Sequence, residues 1–92
     1  MIYLKVHWRH DSEIRPVAFY CEMERDRMEI RKLELYVDGS LGYANEKRSS
    51  GKTALGALPM PTIPELAASP NCEASEITRD EFEDIWRLAR WE

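Results

Sequence analysis

Met28-Glu29-Ile30-Arg31-Lys32-Leu33-Glu34-Leu35-Tyr36-Val37-Asp38-Gly39 is the stretch on which the fold turns. Residues 24–34 are rich in good helix formers, so a helix is one reading. Leu33, Leu35 and Val37 alternate with Glu34 and Tyr36, however, and the alternation runs straight into Asp38-Gly39. That dipeptide marks a tight hairpin, because the turn needs a positive φ that glycine tolerates. The segment is therefore read as a strand. Met28 and Ile30 share one parity and Leu33, Leu35 and Val37 the other, which in a straight strand would send them to opposite faces. One extra residue around Arg31-Lys32, a β-bulge, would return both sets to one core.

The flanks agree with a strand reading. Ile2, Leu4, Val6 and Trp8 alternate with Tyr3, Lys5, His7 and Arg9, so residues 2–9 form a half-buried strand. His10-Asp11-Ser12-Glu13 supplies a polar turn, and Pro16 holds the residue before it extended. From Pro16 to Glu24, Val17, Phe19, Cys21 and Met23 are expected inward, with Ala18, Tyr20 and Glu22 outward. After the Asp38-Gly39 turn, Leu41 to Glu46 makes a fourth strand, with Gly42 allowing close backbone approach. Lys47 to Lys52 is a polar loop and Ala54 to Pro61 an ordered but irregular one. Thr62 caps a short helix with Glu65 three residues on and Pro64 in its first turn, and Pro70 lies just beyond its end. Thr78 and Glu81 form a capping box for a final helix, with Ile77 and Phe82 as its hydrophobic staple. Phe82, Ile85, Trp86 and Ala89 recur at helical spacing as one apolar stripe. The expectation is an α+β fold. A four-stranded antiparallel meander precedes a short helix and a C-terminal helix packed on one sheet face, all within a single domain, 1–92.

Composition narrows the function classes. With 92 residues, 43% hydrophobic and 33% charged, the chain reads as one small soluble globular domain. No apolar run approaches the ~20 residues that cross a bilayer, and no basic n-region precedes an apolar stretch, so neither a membrane partner nor a signal peptide is expected. Net charge is −4, which disfavours nucleic acid, since phosphate contacts need clustered Lys and Arg. Cys21 and Cys72 read as two reduced thiols of a cytoplasmic protein.

Motifs for chemistry mostly dissolve. No Cys-x-x-Cys or paired Cys/His spacing occurs, and His7 and His10 point to opposite faces of a strand, so no metal is expected. Gly51-Lys52-Thr53 resembles the end of a phosphate-binding loop, but that motif needs a glycine where Glu46 stands. No serine has a nucleophile-elbow context, and His10-Asp11, adjacent at a strand end, diverge. No catalytic residue and no cofactor is assigned.

Two surfaces remain for a partner. Tyr3, Lys5, Tyr20 and Tyr36 would lie on an open sheet face beside the charged set Glu29, Arg31, Lys32 and Glu34, and tyrosines among charges are common interface anchors. Glu73, Glu76, Asp80, Glu81, Glu83 and Asp84 are opposed only by Arg79 over residues 73–84. Acids in a helix's first turn complement its dipole, but Glu73 and Glu76 precede the helix. Reversing Glu73, Glu76, Glu83 and Asp84 to Lys is expected to slow association with a basic partner while leaving the melting temperature unchanged. Trp91 is expected to be exposed near the chain end.

The order Tyr3-x-Lys5-Val6-x-Trp8-x-His10-Asp11, Pro16-Val17, Tyr20-x-Glu22, Arg31-Lys32-x-Glu34, Asp38-Gly39-x-x-Gly42-x-Ala44, Thr53-x-Leu55-Gly56, Pro59-x-Pro61 and Glu76-Ile77-Thr78-x-x-Glu81-Phe82 resembles a family of small uncharacterised bacterial proteins. That family is similar in size and setting to immunity proteins of polymorphic toxin systems, including contact-dependent growth inhibition. The resemblance implies a cytoplasmic binding protein, a monomer or weak dimer, that occludes a cognate toxin domain such as a basic nuclease. The alternative is a small enzyme or ligand-binding module using the His10-Asp11 end and the loop from Gly51 to Gly56.

Overall fold

The computed structural model describes residues 1–12, 14–50 and 53–91, with side chains through residue 89. Gly51 and Lys52 of the loop considered above, and the side chain of Trp91, lie outside the described residues. The elements are β1 (Ile2–Trp8), β2 (Ala18–Met23), β3 (Glu29–Leu35), β4 (Leu41–Ala44), α1 (Ile63–Ala67), β5 (Cys72–Glu76) and α2 (Arg79–Trp91). The strands form one antiparallel sheet in the order β4-β3-β2-β1-β5. The α+β meander expected from the sequence is present, and a fifth strand adds to it. Cys72–Glu76, read above only as part of the acidic run and not as a strand, pairs with β1 from Trp8↔Cys72 to Leu4↔Glu76 and makes the second edge.

Local chemistry explains the punctuation. Residues 29–35 are strand, not helix. Val37, Asp38 and Gly39 join β3 to β4, Gly39 takes φ +88°, and Tyr36 N–H donates to the Ser40 carbonyl at 3.0 Å. The bulge exists but lies earlier than expected: β2 pairs Glu22 with Arg31 and Met23 with Glu29, leaving Ile30 unopposed. The shift sets Glu29 on the same side as Lys32, whose ammonium lies 3.9 Å from it. Gly42 is where close approach is needed, since a Cβ there would stand 2.1 Å from Thr53 Oγ1. Both capping boxes form. Glu65 N–H meets Thr62 Oγ1 at 3.4 Å, and Glu81 N–H meets Thr78 Oγ1 at 3.1 Å.

The placement of the core corrects the one-sided picture. Both sheet faces are covered. Leu4, Val6, Cys21 and Met23 form one buried layer, with Phe19 of β2 beside them, closed by Ile63 and Leu66 of α1 and Met60 of the segment before it. The other layer is Tyr3, Ala18, Tyr20 and Leu33 under Phe82, Trp86 and Ala89 of α2. α2 therefore packs on the face expected to be open, and Tyr3 and Tyr20 are buried. The physical reason is register. Leu33 opposes Tyr20 and Leu35 opposes Ala18, so the apolar set of β3 joins the tyrosine side and gives that side a core. The irregular segment before α1 is held by Arg27 (φ 67°), which donates from Nε to the Met60 carbonyl at 2.7 Å and from Nη2 to the Pro61 carbonyl at 2.7 Å.

Candidate functional site

The residues nominated for partner binding divide sharply once folded. Beneath α2, Tyr3 and Glu22 become parts of an internal ionic cluster. Tyr3 donates its hydroxyl to Glu22 Oε2 at 2.7 Å, and Arg31 donates from Nε to Oε1 at 2.6 Å and from Nη2 to Oε2 at 2.9 Å. The same guanidinium bonds Glu83 of α2 and lies 4.9 Å from the Phe82 ring centroid and 5.1 Å from that of Trp86. A bidentate Arg on a carboxylate is a strong, directional pair. It holds the Glu22 carboxyl below the ordinary range against the opposing effect of burial, with Tyr3 assisting. The Arg31 guanidinium is correspondingly raised by its bonds to Glu22 and Glu83. Burial, together with the bond to Glu22, pushes the Tyr3 phenol up. The cluster is fastened on all sides and makes the underside of α2 compatible with two charged residues.

The acidic run is equally redistributed. Glu83 belongs to that internal cluster, and reversing it to Lys would set ammonium against Arg31. The expectation that the four-site reversal leaves the melting temperature unchanged is therefore withdrawn. Glu73 pairs with Arg9 at 2.6 Å on the surface, Asp84 pairs with Arg87 one turn on, and Glu81 closes the capping box. Exposed pairs of this kind contribute ~0–1 kcal/mol each. Glu76 and Asp80, both exposed, have no cationic partner among the described residues. They sit four positions apart where β5 hands over to α2.

Beside that corner α2 leaves part of the sheet uncovered. Lys5, His7 and Arg9 follow one another along this side of β1, about 7 Å apart given the strand rise. Three adjoining clefts share them. One of about 280 Å³ lies between Lys5, Tyr20, Ile77 and the α2 residues Glu81, Asp84 and Ile85. A second of about 280 Å³ reaches over His7 and Arg9 to Glu73 and Ser75. The third, about 480 Å³, runs on past His10 to Leu35, Tyr36 and Val37. Lys5 rests over the Tyr20 ring at 5.6 Å, so the ammonium is fixed in place at the junction. Of the sheet-face set, Lys5, Tyr20 and Tyr36 thus line open clefts, Tyr20 only at its buried floor, while Tyr3 does not. His7 and Arg9 were not nominated from the sequence, and only their parity with Lys5 pointed to them.

The His10-Asp11 end has a different task. Ser12 N–H donates to His10 Nδ1 at 3.0 Å, so Nε2 carries the ring proton and donates to the Pro16 carbonyl at 2.7 Å. Both nitrogens are committed to the β1–β2 turn, and the ring packs edge-on to Trp8 at 4.5 Å. A general base needs one free nitrogen, which His10 does not offer in this geometry. Among the described residues, no group of three or more His, Cys, Asp or Glu side chains is placed to hold a metal. Nor is any helix among them long and apolar enough to cross a membrane.

Residues 2–91 match the family model of DUF6881, a domain of unknown function. The chain belongs to the DUF6881 family. No curated protein and no solved structure matches it.

The two cysteines are unpaired thiols with different access. Cys21 is buried and donates from Sγ to Glu29 Oε2 at 3.2 Å, and burial together with the Glu29 charge pushes its thiol well up. A raised thiol is a poor nucleophile. Mass spectrometry after brief alkylation of the native protein at pH 8 should show one adduct, on Cys72, with the second appearing only in denaturant. Labelling of Cys21 at a comparable native rate would show that the layer beneath α1 opens readily.

Proposed function

We propose that this domain is an immunity protein of the cytoplasm, which binds a cognate bacterial toxin domain and neutralises it by occlusion, without a cofactor and without chemistry of its own. A basic nuclease is the partner class that complements it best. The observation that carries the reading is the pair Glu76 and Asp80, two exposed carboxylates with no cationic partner among the described residues, in the stretch of chain between the cleft-lining residues Ser75 and Glu81. Unbalanced surface charge steers an oppositely charged partner and speeds its association. The resemblance to small bacterial proteins found in toxin–immunity settings supports the same reading. Tyr36, Lys5 and Ile85 beside the clefts supply the mixed aromatic, polar and apolar contacts that an occluding interface uses.

Co-expression tests it. The C-terminal domain encoded by the adjacent upstream gene should arrest growth alone and cease to do so with this chain. The double variant Glu76→Lys, Asp80→Lys should slow association tenfold or more at physiological salt, with a melting temperature lowered by only a few degrees, because neither side chain has a cationic partner among the described residues and Asp80 contributes only its first-turn complement to the α2 dipole. Wild-type association should itself slow as salt rises, since a Debye length of ~8 Å shortens with added ions. Full growth arrest in the presence of abundant folded protein would sink the proposal.

A further inference from the structure

The two edges of the sheet are treated differently. At β4 the chain folds back on itself. Ala44 bridges to Ser49, Ser50 N–H donates to the Tyr43 carbonyl at 2.8 Å, and Tyr43 N–H donates to Ser50 Oγ at 2.9 Å. At β5 no such closure exists among the described residues. The phase of the ladder is fixed by Arg9 N–H to the Asn71 carbonyl at 2.8 Å and Ile77 N–H to the Tyr3 carbonyl at 3.0 Å. In an antiparallel pair alternate residues face the partner strand. Glu73 and Ser75 lie between those two points and turn their amides to β1, so Ala74 and Glu76 turn theirs away from it. The outward amide of Cys72 is taken by the Ser69 carbonyl at 3.2 Å. The main-chain groups of Ala74 and Glu76 have no hydrogen-bond partner among the described residues.

We infer that the outer edge of β5 receives an extended basic segment of a partner protein as a sixth strand, paired through Ala74 and Glu76. Backbone pairing supplies the affinity in strand addition, and flanking side chains supply the selectivity. Glu76 and Asp80, without a cationic partner among the described residues, select Lys or Arg at the flanking positions. The same charges oppose a second copy of this chain, because two molecules of net charge −4 would meet along their acidic edges. On the inner side Cys72 and Ala74 pack against the same buried layer as Ile63 and Leu66 of α1, which anchors the edge strand by its side chains. The inference rests on the protein-binding reading above but not on the partner's being a toxin.

Amide exchange followed by NMR tests it on the intact chain, with an acetylated and amidated Val-Lys-Val-Lys-Val-Lys peptide as probe. At millimolar peptide the Ala74 and Glu76 amides should exchange at least tenfold more slowly, while those of Glu73 and Ser75, already paired to β1, should not change. The Val-Glu counterpart, and a Val-Lys peptide N-methylated along one edge, should leave all four unchanged. Glu76→Lys with Asp80→Lys should weaken the Val-Lys peptide at least tenfold. Ala74→Pro, which removes one outward donor, should abolish its binding if the variant folds; the methylated peptide carries the same test if it does not. Unchanged exchange at Ala74 and Glu76, equal protection by the methylated peptide, or a dimer that protects both amides without peptide would each overturn the inference. Failure to protect cells, with the peptide result intact, would remove the toxin and leave the edge.

Discussion

Phe82→Ala should lower the melting temperature by roughly 12–40 °C. The side chain is wholly buried, 5.5 Å from Tyr3 and 6.2 Å from Trp86 between ring centroids, and it carries Arg31 over its face. Truncating a buried Phe typically costs ~3–5 kcal/mol, from lost burial and from the cavity left behind. For a domain near 100 residues each kcal/mol shifts the midpoint by ~4–8 °C. Total stability for such a chain is of order 5–15 kcal/mol, so this one substitution removes a large share of it. Trp86→Ala should behave similarly, since Trp86 meets Tyr43 edge-on at 5.6 Å as well as Phe82. Leu88→Ala is the control, because Leu88 lies on the same helix but is 59% exposed. Thermal melts by circular dichroism decide the matter. If Phe82→Ala and Leu88→Ala melt alike, α2 does not pack on the tyrosine face.

That face shows what the sequence could and could not convey. Alternation in β1 and β2, the glycine turn after β3 and both capping boxes are local signals, and each appears where the residues placed it. Register is not local. Tyr3, Tyr20 and Glu22 look like solvent-facing residues until β3 sets Leu33 opposite Tyr20, and only then does their side acquire an apolar centre. The bulge was visible as a phase break. The assumption that it must restore a single core placed it at Arg31-Lys32, when a sheet covered on both faces needed it at Ile30. β5 was missed because Cys-Glu-Ala-Ser-Glu has little strand propensity. Its alternation of Cys72 and Ala74 inward with Glu73 and Ser75 outward was nevertheless present, and an edge strand needs no more. Candidate surfaces fared according to partnering. Charges can be counted from a sequence, but which of them find internal partners depends on tertiary neighbours. Glu83 is therefore tied to Arg31 at the half-buried margin of α2, while Glu76 and Asp80 are left outside that cluster.

Arg31→Met should destabilise the fold by ~3–5 kcal/mol at neutral pH and by much less in acid. Removing one member of a buried ion pair strands the other, and the desolvation penalty then stands uncompensated. Glu22 would keep only the Tyr3 hydroxyl, in a site where its residue is 7% exposed. The pH dependence follows from the direction of the Glu22 shift. In the wild type its folded carboxyl lies below the ordinary value, principally because of its bonds to Arg31. That contribution is present above the unfolded carboxyl value of ~4.3 and is lost as pH falls through the lower folded one. In the variant, burial acts without Arg31 and is opposed only by the Tyr3 hydroxyl and the Arg79 charge, so the Glu22 carboxyl rises from its wild-type position. The variant then lacks the stability that the Arg31 bonds give the wild type as pH rises across that range. The gap between the two proteins should therefore widen from about pH 3 to pH 7, as read from urea midpoints at each pH. Adding Glu22→Gln to Arg31→Met should remove the pH dependence of the gap and recover part of the lost stability, because a neutral amide can still accept from Tyr3. A gap that is the same at both pH values would mean that Arg31 stabilises the domain mainly by packing its guanidinium on Phe82 and Trp86, with the Glu22 pair contributing little.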